Sequence, residues 1–262
     1  MRRGGMSTCM KNILLSNDDG IQSRGIRALD DFFSKHFHVF IVAPDRERSA
    51  TGHSISLRDP IRLKTVEKDR VFSVDGTPVD AVHVALLGVL KVPVDFVISG
   101  INNGLNLGSD VFYSGTVSAA FQAATFNIPG IAVSIDNNGE EIHYETAAYF
   151  LHRIINKIKK YPLGKGIILN VNVPNLEVDD IAGMEITKLG KRCYNDSLIE
   201  REDPKKNKYY WIAGKLLNTD SEAGTDVKAV DEKKVSITPL RLDVTAFDLI
   251  EKLKEQYFHE ID

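Results

Sequence analysis

The chain has 262 residues and a mass of 29.2 kDa, with 43% hydrophobic and 26% charged residues. These are ordinary globular proportions that exclude a disordered tail, a collagen-like rod and a coiled coil. Lys plus Arg number 33 and Asp plus Glu 36, a formal charge of −3, so no broad field exists to draw in nucleic acid or an anionic membrane.

In chain order, the N-terminus carries Arg2 and Arg3 but no apolar stretch, running through Gly4, Gly5, Ser7 and Thr8, so no secretory signal is expected. Met6 and Met10 both resemble start positions, and residues 1–9 read as a dispensable extension. Ile13 to Leu15 is a short apolar run that empties into Ser16-Asn17-Asp18-Asp19-Gly20, the pattern of a buried strand leaving the core. Ile26, Leu29, Phe32 and Phe33 recur at helical spacing, and Val39 to Val42 forms a second buried strand closed by Pro44. Val71 to Val74 is strand-like, Val79 to Leu90 reads as a helix, and Asp95 to Ser99 as a strand that stops at Gly100. Asp75-Gly76-Thr77-Pro78 reads as a turn and helix start, with Asp80 in a structural role. An Ala-rich helix over Val117 to Phe126, a strand over Ile131 to Ser134, a helix over Tyr144 to Ile158 and a strand over Ile167 to Val171 complete the alternation.

Strands alternating with helices, with the strands continuously apolar, predict a doubly wound α/β fold around a mostly parallel sheet. Residues 11–189 form its expected core. From residue 190 to 234 charges cluster, Tyr209-Tyr210-Trp211 stands alone, and the segment reads as an arm for oligomerisation or a lid. Residues 235–262 read as a closing strand and an amphipathic helix that return to the core. The two cysteines, Cys9 and Cys193, are far apart with no CxxC, which argues against disulfides and a thiolate zinc site and fits a cytoplasmic location. The longest apolar run, Ala81 to Leu90, falls well short of the roughly 20 residues of a membrane span.

Ligands in open α/β sheets bind beyond the carboxyl ends of the strands, and that edge is polar here. Asp18 and Asp19 follow the first strand, Asp45 to Ser49 follow the second, and Asn102, Asn103 and Asn106 follow the strand at Phe96. Adjacent carboxylates repel unless a cation joins them, and hard divalent cations prefer oxygen ligands, so an oxygen-only metal site competes with a plain Asp-Gly turn. Ser99 to Thr116 carries Gly100, Gly104, Gly108 and Gly115 and opens directly into a helix. Ser114, Gly115 and Thr116 are either an ordinary N-cap or an anion grip at the helix's positive end. His53 is placed to face the same site, while His36, His38 and His83 read as packing residues.

The segments Ile13 to Gly20, Val42 to Ser49, Gly76 to Asp80, Ser99 to Asn102 with Asn106 and Gly108, Tyr113 to Val117, Asn170 to Pro174 and Val235 to Leu240 together resemble the SurE family of survival-protein phosphatases, the 5′/3′-nucleotidases. The resemblance implies a divalent-metal phosphomonoesterase that hydrolyses nucleoside monophosphates by metal-activated water, with polyphosphate hydrolysis as a side activity. It implies one Mg²⁺ or Mn²⁺ on Asp18, Asp19, Ser49 and Asn102, with Asp18 or Asp19 as base, and phosphate contacts at Asn106, Ser114, Gly115 and Thr116. It also implies a homodimer or homotetramer built by exchanged C-terminal extensions. The chain departs from the family pattern at Ala50 and Asn127, where relatives often carry glycine, and at Gln122-Ala123, where Glu-Gly is frequent. Two other readings stand beside it: an aspartyl-phosphate phosphatase, which calls for Asp-x-Asp where this chain has Asn17, and a non-catalytic nucleotide- or phosphate-binding α/β protein.

Overall fold

The computed structural model describes residues 12–139, 141–219 and 222–257; the expected extension over 1–9, with Cys9, and residues 258–262 of the expected closing segment lie outside them. The elements run β1 (Asn12–Ser16), α1 (Arg24–Phe33), β2 (His38–Pro44), β3 (Leu63–Glu67), β4 (Val71–Val74), α2 (Pro78–Val84), β5 (Phe96–Asn103), α3 (Gly115–Thr125), β6 (Gly130–Ile135) and α4 (Tyr144–Lys160). They continue with β7 (Ile167–Val173), β8 (Gly183–Ile186), β9 (Arg192–Glu202), β10 (Lys208–Thr219), α5 (Asp226–Asp231), β11 (Lys234–Arg241) and α6 (Phe247–Tyr257).

Nine strands make one sheet in the order β3-β4-β2-β1-β5-β6-β7-β11-β8. The pairs from β4 through β7 are parallel, β3 and β11 join antiparallel to β4 and β7, and β8 is parallel to β11. From β1 the chain winds outward to β2 and β4, then returns to β5 and winds the other way. The topological switch point therefore lies between β1 and β5, which is where such sheets place ligands.

The short strands are apolar on both sides because both sides are covered. Ile13 and Leu15 of β1 pack with Ile26, Leu29 and Phe33 of α1 and Leu151 and Ile155 of α4. Leu14 faces the opposite layer, among Val82 of α2 and Ala119 and Ala123 of α3. The starts of α1, α2, α3 and α5 carry side-chain caps. Ser23 caps α1 by accepting the Ile26 N–H, and Thr77 and Asp80 form a reciprocal capping box on α2. Asp80 also accepts from the Ser56 N–H and hydroxyl, so its buried carboxylate has the expected structural role. No described helix is long and apolar enough to cross a membrane.

The structure corrects several expectations. The helix expected over Val79 to Leu90 is α-helical only to Val84 and widens into a π turn over Ala85–Val89. β5 does not stop at Gly100 but continues to Asn103. Within 190–234, only β9 and β10 leave the body, as an isolated antiparallel ribbon. The α5 helix returns to the core and buries Asp226, Val227 and Ala229, because its small apolar face is matched to β11. The expected return of the closing helix fails: α6 has no buried residue, and its stripe at Phe247 and Leu253 faces outward.

Candidate active site

Three loops meet beyond β1, β2 and β5, and backbone hydrogen bonds knit them together. The Arg48 N–H donates to the Asp18 carbonyl, the Ile21 N–H to the Pro44 carbonyl, and the Gly52 N–H to the Tyr113 carbonyl. They enclose a cleft of about 410 Å³ lined by Asp18, Asp19, Ser49, Asn102, Asn106 and Ser114, among others. The structure thus brings together six of the sequence-predicted site residues. Two more, Gly115 and Thr116, stand directly behind them.

Asp18 is buried, and α3 is aimed at it. The Thr116 hydroxyl donates to Asp18 Oδ1, and the Thr116 N–H also serves this carboxylate. A side chain at Gly115 would stand 2.8 Å from Asp18 Cβ and 2.9 Å from Oδ2, so glycine is what lets the helix end come so near. Ser114 accepts the Val117 N–H as the N-cap while lining the cleft. Thr116, fully buried, is spent on Asp18 and is not presented to the cleft.

The electrostatics are those of crowded acids. Burial raises the Asp18 carboxyl above its ordinary range, against the Thr116 hydrogen bonds that lower it. Burial, then the charge of Asp18, push Asp19 up to about 6, opposed by the Asn103 N–H. Glu47 adds a further repulsion to both. Among the described residues no Lys, Arg or His lines the cleft. An anion could therefore enter only beside a cation, and the donor set, carboxylates with neutral oxygens, has the chemistry that Mg²⁺ and Mn²⁺ take. Among the described residues no group of three or more His, Cys, Asp or Glu converges, so such a site rests on Ser49 and Asn102 as well. The Asn102 amide donates to the Gly104 carbonyl at 2.7 Å, which turns its Oδ1 away as a free acceptor. The Ser49 hydroxyl donates to Glu47 at 2.7 Å, leaving its oxygen lone pairs available.

Asn106 is held in a neutral cage that sequence reasoning did not find. Its N–H donates to Asn172 Oδ1, its carbonyl accepts from Asn170 and Asn172, and its side-chain amide donates to Ser134 Oγ. The available signal was Asn170-Val-Asn172: two polar residues on one face of a strand otherwise apolar. Other candidates fall outside. His53 lines a separate apolar pocket of about 290 Å³ with Phe112 and Phe121, and its Nε2 donates to Gln122, whose amide in turn donates to His83. Asn17 is buried and donates to the Gly20 carbonyl and Ser23, a turn-holding role that gives an Asp-x-Asp nucleophile no place. Ala50 and Asn127 both have left-handed backbone, at φ 55° and 58°.

The fold and site define the class: a doubly wound α/β protein with an oxygen-lined acidic cleft at its switch point. The family model "Survival protein SurE" matches residues 13–196. The "5'-nucleotidase SurE" of Caldanaerobacter subterraneus subsp. tengcongensis is 41% identical over 246 residues, 92% of this chain and 96% of that protein. That of Stenotrophomonas maltophilia strain R551-3 is 45% identical over 243 residues, 92% and 93% of the two chains. The crystal structure of the SurE protein from Aquifex aeolicus is similar with a TM-score of 0.82 and 39% identity, covering 93% of this chain and 98% of that one. The chain belongs to the SurE family.

Proposed function

We infer that this protein is a 5′-nucleotidase, a phosphomonoesterase that hydrolyses nucleoside monophosphates to nucleoside and phosphate with a divalent metal. The observation that carries the reading is a cleft at the switch point with paired carboxylates and neutral oxygens and, among the described residues, no cationic side chain. The names of the relatives agree with it. Asp18, Asp19, Ser49 and Asn102 would hold one Mg²⁺ or Mn²⁺. When bound, that ion supplies positive charge to the phosphoryl oxygens and acidifies water.

The chain's own residues do the rest. Asp18, buried at the cleft wall, is fixed by Thr116; Asp19, half-buried beside it, takes the proton of the attacking water. Asn106, Ser114 and the N-terminus of α3 at Gly115 hold the phosphate oxygens, and Thr116 acts behind them by fixing Asp18. The β9–β10 ribbon, with Leu198, Trp211 and Ile212 exposed, supports assembly into a dimer or tetramer, and the setting is cytoplasmic.

The test is phosphate release from nucleoside 5′- and 3′-monophosphates with Mg²⁺, Mn²⁺ or EDTA, beside Asp18→Asn. Loss of one metal-binding charge should slow turnover on the order of 10³-fold. Activity within tenfold of the parent, or turnover in EDTA, defeats the reading; nucleotide binding without turnover supports the non-catalytic alternative.

A further inference from the structure

Asp226 opens α5 and is fully buried. Both its oxygens are taken by backbone. Oδ2 accepts the Gly108 N–H at 2.8 Å, while Oδ1 accepts the Gly190 N–H at 2.7 Å and the Val227 N–H at 2.8 Å. One carboxylate thus ties together segments 118 and 36 residues away from it.

The packing around it leaves no slack. Gly108 has φ +53°, and a side chain there would meet the Gly190 carbonyl oxygen at 2.6 Å. A side chain at Gly190 would stand 3.0 Å from Asp226 Oδ1. Two glycines therefore touch through their backbones, and that is what allows a single carboxylate to reach both N–H groups. Gly108 begins the 3-10 turn Gly108–Phe112, two residues after Asn106 and six before Ser114, and both of these line the cleft. The asparagine cage holds one end of this loop, and Asp226 holds the next turn. Arg192 and Tyr194, just beyond Gly190, fasten the same loop again by donating to Asp110.

We propose that Asp226 is a positioning residue for phosphate binding: through Gly108 it sets the loop that carries Asn106 and Ser114 into the cleft. The inference rests on the phosphatase reading above. Nothing in it involves the proposed metal ligands, which come from the loops after β1 and β2 and from β5.

Asp226→Asn keeps the shape but turns an amide donor against an N–H donor, so one of the two glycine N–H groups loses its acceptor. The expected signature is specific. Affinity for inorganic phosphate, measured by calorimetry with Mn²⁺ present, should weaken about ten- to a hundredfold. KM for a nucleoside monophosphate should rise by the same factor, while kcat changes less than threefold and Mn²⁺ affinity stays fixed. A merely structural role would lower the melting temperature and the active fraction, reducing apparent kcat with KM and phosphate affinity unchanged. That result overturns the proposal, as does an unaltered variant. If Asp226→Asn does not fold, Gly190→Ala displaces the carboxylate without removing it and should show the same coupled rise in smaller measure; unchanged phosphate affinity there also refutes the idea. Wild-type protein that binds phosphate but turns over no nucleotide sinks the nucleotidase reading instead and leaves Asp226 to be judged by the calorimetry.

Discussion

Gly25 is the second residue of α1, and alanine there should strengthen an isolated helix by about 1 kcal/mol. In this protein we expect the reverse. A Cβ at Gly25 would lie 2.1 Å from the Ile101 carbonyl oxygen, 3.0 Å from its carbon and 3.1 Å from its nitrogen, whereas ordinary contact begins at 3.4 Å. Something must retreat by about 1.3 Å, and all three atoms are backbone. β5 cannot give way toward the neighbouring strand, because Gly100 is already pressed on Val133, whose carbonyl would lie 2.3 Å from a Cβ there. The start of α1 must lift, partly exposing Ile26 and Leu29, or the stretch bearing Asn102 must move. Overpacking of this kind costs about 1–3 kcal/mol, and rigid backbone puts this case at the upper end, so a net loss of about 2 kcal/mol should remain after the helix gain. That corresponds to a fall of roughly 5 °C in melting temperature by calorimetry. A displacement near 1 Å at a proposed metal ligand should also slow Mn²⁺-dependent phosphate release by about 10²-fold. A variant as stable as the parent, with turnover within threefold, would refute the reasoning.

Other consequences are equally direct. Because Asp19 titrates near 6 in the fold and about 3.9 when unfolded, its contribution to stability is complete below the lower value and lost as pH rises through the upper one. Metal-free protein should therefore gain more in melting temperature from Mn²⁺ at pH 7.5 than at pH 5, and an equal gain at both would contradict the assignment. Thr116→Val removes the hydroxyl that holds Asp18, so the carboxyl should rise further and Mn²⁺ affinity, followed by calorimetry, should fall about tenfold. Gln122→Met removes the amide that bridges His53 and His83 and should cost about 1–2 kcal/mol of stability; an unchanged melting temperature by calorimetry would exclude the bridge.

The sequence was most legible where a residue's role follows from its neighbours in the chain. Ile13 to Leu15 could only be a buried strand, and the loops after β1, β2 and β5 could be assigned to one edge from topology alone. β3 was hidden because all five of its residues are exposed, so it carries no apolar pattern. β8 is only four residues long and α5 six, too short for a period to declare itself. The site showed the same division. Asp18 and Asp19 follow a strand and Asn102 stands near the end of one, so they announce themselves, but the service of Thr116 to Asp18 crosses 98 residues. Gly115 looked like a phosphate loop residue, and the structure adds a second reason for it, room for Asp18. The burial of Asp226 beside Gly108 could not be read from a stretch that looked wholly solvated.

The β9–β10 ribbon offers a use beyond the assembly proposed for it. Two strands of 11 and 12 residues stand apart from the main sheet, with Ile212 85% exposed, and a lone hairpin is marginal in water. Its amide protons should exchange with deuterium far faster than those of β1 or β5 unless another surface covers them. The ribbon is thus a built-in reporter: protection appearing there as protein concentration rises, with the core unchanged, would time the association step and locate it without any label or substitution.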